Sequence, residues 1–551
     1  MNKKYFISYI CDGIRINSND IENDHYSLEI SDADGRYTVT LNPKCKIEMV
    51  DFYVEFPYEF KARDLFFGAG YQSWTYTKEY NSKDIMKGTI KLSHIHPYLR
   101  HYASITSDDR IVKYSQKPGE FHSHGYTYIR NGEDMKLWGS LSEKTGYTYF
   151  AVKMNENYFS IHKDALGKVA DKPWKVFDIV YFEGTYDEVF DKYFKMFEMP
   201  ETRKGAMSGY TSWYNYFQNI TEDIIIRDLN GLDPAKDETS IFQIDDGYEP
   251  YVGDWLDYCD KFPKGMKYIA DKVHDKGYLA GIWIAPFSCQ KISRIAKEHP
   301  DWLIKENGKP QLGCIAWGGA YTLDIYNDEA RAYIKKVFDV VLNEWGYDMV
   351  KLDFLYSECV IPRNGKCRGE IMYDAMSLLR ECVGDKLLLG CGVPMSAAIG
   401  VCDACRISCD VDLTYKGKIY NHIHVSNEML SAQSAINNSI FRRHLNGRVF
   451  MNDPDVFFLR NDNLKFTWEQ KKLLAKINNL CGNVLFVSDN AGDYDAVQMS
   501  LLKKYFKKTN EKIVSAERFN PDVINIITEE DGKTKEFMFN IKEGKVLKGD
   551  L

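Results

Sequence analysis

Three short stretches of the chain place carboxylates where the backbone can aim them together. In Asp348-Met349-Val350-Lys351-Leu352-Asp353-Phe354 the side chains alternate if the run is a strand, so Lys351 and Asp353 share a face. A lysine one pleat below a carboxylate lowers its pKa and keeps it ionised, the state a carboxylate nucleophile needs. The same pair can equally be an ion pair between core layers. Arg406-Ile407-Ser408-Cys409-Asp410 repeats the pattern, with Asp410 as a second carboxylate and Arg406 to orient a substrate. Asp412 competes for that place, and a plain salt bridge closing the strand is the bland alternative. In Phe242-Gln243-Ile244-Asp245-Asp246-Gly247-Tyr248, two adjacent acceptors can bind neighbouring hydroxyls of one sugar, or simply make a turn.

The elements that carry these groups can be read from the apolar pattern. Between about 196 and 504, eight strand-like runs recur: Gly209 to Tyr214, Ile241 to Asp245, Leu279 to Ala285, Tyr347 to Phe354, Leu387 to Cys391, Cys405 to Asp410, Val449 to Asn452 and Val484 to Val487. Helical patterns lie between most of them, at Lys264 to His274, Asp328 to Trp345 and Trp468 to Asn479. Gly277 and Gly346 stand where C-cap glycines belong. Eight β-then-α units predict a (β/α)8 TIM barrel, with a doubly wound open sheet as the alternative. The fifth unit leaves only Pro394 to Gly400 for its helix. Chemistry in such a barrel sits at the strand C-termini. Asp245-Asp246, Trp283, Lys351 with Asp353, Cys391-Gly392, Arg406 with Asp410, Asn452-Asp453 and Ser488-Asp489 all fall there. A mouth ringed with carboxylates fits glycosyl chemistry or a divalent metal.

Residues 1–195 read as an N-terminal β-sandwich, with alternating runs such as Tyr37 to Leu41 and Tyr126 to Ile129 and turns at Asp34-Gly35 and Asn131-Gly132. Residues 505–551 read as a small C-terminal β-sheet domain around Asp531-Gly532. The fold class is therefore α/β with flanking β domains.

The chain has 551 residues, with 71 basic and 79 acidic side chains and a net charge of -8. Without a basic block it is a poor nucleic-acid binder. No apolar run approaches the roughly 18 residues of a membrane span, and the N-terminus is too polar for a signal peptide. Thirteen scattered cysteines then predict reduced thiols and a cytoplasmic protein. A homo-oligomer is left open. Cys402, Cys405 and Cys409 lack the fourth ligand of a structural zinc site. The His-x-His pairs His94/His96 and His122/His124 each share a strand face but read as packing or surface histidines. No metal and no cofactor are expected. A metal-dependent hydrolase would want histidines at the strand ends, and none of the eight runs ends in one.

Taken together in order, these motifs resemble the glycoside hydrolase family 36 α-galactosidases, melibiase-like enzymes of the same clan as family 27. The resemblance rests on Ser212-Trp213-Tyr214-Asn215-Tyr216-Phe217, Ile244-Asp245-Asp246-Gly247-Tyr248, Gly281 to Phe287, Val350 to Phe354 and Arg406 to Asp410. Gly70-Tyr71-Gln72-Ser73-Trp74 looks like the loop by which the family's N-terminal domain reaches the active site. The chain departs from the pattern of larger members at Leu352 and Tyr248, neither of which removes a catalytic group.

The resemblance implies a retaining α-galactosidase acting on terminal α-galactosides of oligosaccharides. Asp353 would be the nucleophile and Asp410 the acid/base. Asp245 and Asp246 would bind the 4- and 6-hydroxyls, and Lys351 and Arg406 would bind ring hydroxyls. Trp283 would be an aromatic wall, Trp74 and Tyr214 would close the pocket, and Cys391-Gly392 would meet the 2-hydroxyl. The rivals are an α-N-acetylgalactosaminidase, an α-galactosyl-transferring relative and a non-catalytic sugar-binding barrel.

Overall fold

The computed structural model describes residues 3–88, 105–200, 205–417 and 430–551. Its N-terminal part is two seven-stranded antiparallel sheets. One includes Lys4–Cys11, Ile47–Pro57, Tyr158–Lys163, Thr148–Lys153 and Glu120–His124; the other includes Arg36–Pro43, Trp174–Gly184, Asp134–Ser140, Tyr126–Asn131 and Leu65–Gly68. Alternation produces the core between them. Tyr37, Val39 and Leu41 of one strand point inward to meet Phe52, Val54, Phe159 and Phe177. The hairpin at Asp34-Gly35 needs positive φ at both turn residues, 53° and 73°, which Asp-Gly tolerates.

Eight parallel strands follow: Met207–Thr211, Ile241–Ile244, Leu279–Ile284, Met349–Leu352, Leu387–Gly390, Ala404–Arg406, Met451–Asp453 and Val484–Val487. They pair in chain order and the eighth returns to the first, so the chain forms the expected barrel. The seam between the seventh and eighth strands is bridged at its margins. Asn483 N–H donates to the Asn452 carbonyl at 3.1 Å, and Phe457 N–H to that of Phe486 at 3.0 Å. The helices at Gly265–Asp275 and Trp468–Cys481 stand where the periodicity places them. The segment from Asp328 is α-helical to Asp339 and then widens into one π-turn, Val340–Glu344.

The fifth unit has only a single turn, Met395–Ala398, and the reason is visible. A loop of the N-terminal part occupies this flank of the barrel. Ser73 N–H donates to the Val393 carbonyl at 2.9 Å, Met395 N–H donates to that of Tyr71 at 3.2 Å, and Gln72 bridges to Pro394. The loop is gripped from the other side by Arg442, which is 1% exposed. Its guanidinium donates to the carbonyls of Gln72 and Thr75, both at 3.1 Å, to that of Ile407 at 2.8 Å and to that of Ser73. Among the described residues no carboxylate forms an ion pair with it, and burial pushes its pKa down to about 10. Asn437 and Asn438 complete the clamp on Thr75 and Thr77.

The last four strands, Lys512–Asn520, Val523–Glu530, Lys533–Asn540 and Lys545–Lys548, form a sheet. Its buried Ile524, Ile526, Phe537 and Phe539 join the barrel's core. Among the described residues no helix is long and apolar enough to cross a membrane.

Replacing Arg442 by Met strands several buried carbonyls, at about 1–3 kcal/mol for each group left unpaired. Arg442→Met is therefore expected to lose about 3 kcal/mol or more, read as an earlier thermal transition, with Arg442→Lys falling between. A variant that melts with the wild type would show that the loop is held without this clamp.

Candidate active site

All eleven residues singled out in the sequence lie at or near the C-terminal ends of the barrel strands or on the loop that docks there. Their partnerships differ from expectation at Lys351. It ends the fourth strand, yet its ammonium pairs with Asp245 at 2.8 Å rather than with Asp353. Strands 2 and 4 are both even-numbered, so their inward side chains meet in one layer across the lumen. Gln243 Nε2 donates to the same Asp245 oxygen at 2.8 Å, and Thr211 Oγ1 at 3.3 Å.

Asp353 is 8% exposed. Trp283 Nε1 donates to its Oδ2 at 3.1 Å, and Phe354 N–H to its Oδ1 at 2.8 Å. Burial raises its pKa and Asp410 adds to the rise, while Lys351, Trp283 and Cys391 oppose it. The lysine thus does favour the ionised form, as expected, but burial outweighs it.

Asp246 accepts from Gln218 Nε2 at 3.0 Å and from Trp317 Nε1 at 2.8 Å. Behind it Glu249 is held far above the usual carboxylate range by burial and by Asp246 itself. The rings of Trp283 and Trp317 stand 5.9 Å apart, with Phe354 4.8 Å from Trp317, so the aromatic wall has more members than Trp283.

Arg406 organises the opposite side. It contacts Asp410 at 2.9 Å, Asp453 at 3.1 Å and Asp455 at 3.1 Å. Of Asp410 and Asp412, Asp410 is the one paired with Arg406. The Asp410 side chain is 40% exposed, whereas Asp453 and Asp455 are buried. Burial raises Asp455 to about 7 against the pull of Arg406, with Asp410 and Asp453 adding to the rise. Tyr214 is buried and gives its hydroxyl to Asp455, so it braces the arginine cluster instead of closing the pocket as a lid.

Trp74 arrives from the N-terminal loop, edge-on to Phe354 at 5.2 Å and to Tyr356 at 5.6 Å. Its ring lies against Gly392, whose φ is +54°. A Cβ there would stand 2.9 Å from Trp74 Cζ2 and 3.1 Å from Phe354 N, so only glycine admits the indole. Cys391 is buried beside Asp353.

Sequence reading passed over Gln218, Glu249, Trp317 and Asp455. Asp455 follows Asp453 by two positions, but the strand ends at Asp453, so alternation does not reach it. Trp317 and Asp455 both sit at positive φ, 55° and 77°, outside regular elements, where periodicity says nothing.

Residues 234–369 match the Melibiase family. The chain is 28% identical over 198 residues to the A type blood α-D-galactosamine galactosaminidase of Flavonifractor plautii, covering 32% of this chain and 18% of that one. It is 32% identical over 120 residues to the α-galactosidase Mel36A of Lactobacillus acidophilus, covering 20% and 16%. The aligned segments therefore take in less than a quarter of either relative. The α-galactosidase TtGalA of Thermus thermophilus, solved with p-nitrophenyl α-D-galactopyranoside, shares the fold at TM-score 0.71 and 22% identity, over 96% of this chain and 98% of that one.

Two outcomes are expected. Gly392→Ala should cost about 1–3 kcal/mol of backbone strain and shift the tryptophan fluorescence as Trp74 moves; unchanged emission and stability would remove the packing argument. Asp455, with a folded pKa near 7 against an ordinary value of about 3.9, holds its proton in the folded state after the unfolded chain has released it. Its contribution to stability is therefore full below about pH 4 and is lost as pH rises towards 7. Asp455→Asn should flatten stability across that window in thermal denaturation at graded pH.

Proposed function

We propose that this relative of the family 36 α-galactosidases is itself a retaining α-galactosidase. It releases terminal non-reducing α-D-galactosyl residues from oligosaccharides. The observation that carries the reading is the pair of unlike carboxyls in one mouth. Asp353 is buried and aimed by two N–H donors, while Asp410 faces solvent on the arm of Arg406.

In this reading an Asp353 oxygen attacks the anomeric carbon as the bond to the leaving oxygen breaks, and Asp410 gives that oxygen its proton. Asp410 then takes a proton from water, whose oxygen displaces Asp353 and restores the α-anomer. Asp245 and Asp246 take the 4- and 6-hydroxyls, with Lys351 between Asp245 and the sugar ring. A glucoside, whose 4-hydroxyl is equatorial, leaves these desolvated acceptors unmatched. Trp283 and Trp74 flank the sugar, with Cys391-Gly392 near its 2-hydroxyl. Arg406, already holding three carboxylates, serves chiefly to fix Asp410.

The thirteen cysteines are all free thiols, which supports a cytoplasmic enzyme acting on sugars already inside the cell. The likeness to an α-D-galactosamine galactosaminidase supports testing sugars with a nitrogen substituent at C2 beside galactose.

Hydrolysis of matched aryl α-galactoside, α-N-acetylgalactosaminide and α-glucoside, with the first-released anomer followed by NMR, tests the reading. The expected result is fast α-galactoside cleavage giving α-galactose. Cleavage of the acetamido sugar alone would transfer the chain to that activity. Asp353→Ala should show no turnover of any substrate. Asp410→Ala should lose about 10²–10⁴-fold on natural galactosides and far less in glycosylation by a good aryl leaving group.

A further inference from the structure

Away from the barrel mouth, the strand Glu120–His124 brings His122 and His124 to one face, where they meet Asp108 from the turn Asp108–Arg110. Among the described residues these three are the one set of histidine, cysteine and carboxylate groups whose ligand atoms converge, all within 4.8 Å of one another. His94 and His96, the other pair noted in the sequence, lie outside the described residues. His122 Nε2 is 2.9 Å from Asp108 Oδ2, and His124 Nε2 is 3.7 Å from the same oxygen. The His124 side chain is 6% exposed, and neither of its ring nitrogens has a hydrogen-bond partner among the described residues. An imidazole buried with both nitrogens unmatched is costly in a folded protein, and a cation bound at Nε2 would satisfy one of the two.

We propose that Asp108, His122 and His124 bind one divalent transition-metal ion, zinc in particular. Two imidazoles and one carboxylate are a borderline-soft donor set that suits zinc rather than calcium or magnesium. Ligand atoms about 2.0–2.1 Å from a tetrahedral zinc lie roughly 3.4 Å apart. The two distances to Asp108 bracket that value and the third separation is at most 4.8 Å, so the side chains need only close in on one another to seat the ion. Of the three groups only Asp108 reaches a cavity of about 220 Å3, which it lines with Gly68, Lys78, Tyr80, Lys87 and Tyr114 and which has room for water beside the carboxylate.

The ion acts as a brace. Tyr71 N–H donates to Asp108 Oδ1 at 2.9 Å, and the Tyr71 ring stands edge-on to His124 at 5.6 Å. Tyr71 is three residues from Trp74 on the docking loop. Metal binding therefore fixes the root of the loop whose tip Arg442 holds.

The test uses the full chain, stripped with a chelator and then titrated with Zn2+ alone by calorimetry. Metal content is measured on the chain as purified and after reloading, and the absorption of the Co2+-loaded chain is recorded. The expected result is one equivalent bound per chain, cobalt bands in the visible region from imidazole and oxygen ligands, and a thermal transition that rises with Zn2+ and falls on chelation. His124→Gln and Asp108→Asn should each lose the equivalent and the thermal response. No stoichiometric binding by the wild type would overturn the proposal, as would undiminished binding in both variants. Where a variant does not fold, the wild-type titration and the chelator-dependent shift decide alone.

Discussion

The guanidinium of Arg406 lies among three carboxylates, and the ammonium of Lys351 against a fourth. Around them stand Asp246, Glu249 and Asp353, all buried. Two cations cannot neutralise seven carboxyl groups in a desolvated mouth, and the excess acidity shapes what surrounds it. Burial raises the pKa of Asp353 and lifts Glu249 and Asp455 well above the ordinary carboxylate range. Neutral donors take over where cations run out: Trp283 and a backbone N–H on Asp353, Gln218 and Trp317 on Asp246, Tyr214 on Asp455. A pocket so rich in acceptors is matched to a neutral ligand covered in hydroxyl donors.

The same constraint explains why the barrel needs its N-terminal neighbour. Indole and phenyl rings have to exclude water for these hydrogen bonds to keep their strength. The barrel's third strand supplies Trp283 and its loops supply Trp317 and Phe354, while Trp74 comes from the other unit. The shortened fifth helix and the glycine at 392 make the room that this intruding loop fills. Arg442 uses a buried charge to satisfy carbonyls that an irregular loop cannot pair with itself.

Much of this was legible in the sequence because parallel strands buried on both faces read as continuous apolar runs with polar residues at their ends. All eight barrel strands showed themselves that way. Alternation correctly put Lys351 and Asp353 on one face, but it carries no information about partners across a lumen, and so it missed the Lys351–Asp245 pair. Trp317 and Asp455 were hidden for a different reason: each occupies a left-handed backbone position in a loop. Arg442 reads as an ordinary arginine at a helix end, since nothing local records that a loop from far upstream must pass its tip. Asp108 likewise lies fourteen positions before His122, and only the sandwich brings the two together.

The clamp on the docking loop joins Ser73 to a residue 369 positions later. During synthesis the loop emerges long before the arginine that holds it. The first five barrel units are also in place before the sixth helix carries that arginine into position. Contacts of such separation are the slowest a chain makes. Assembly of the pocket is therefore a report on completion: in a nascent or truncated chain that lacks Arg442, the loop that carries Trp74 lacks its clamp.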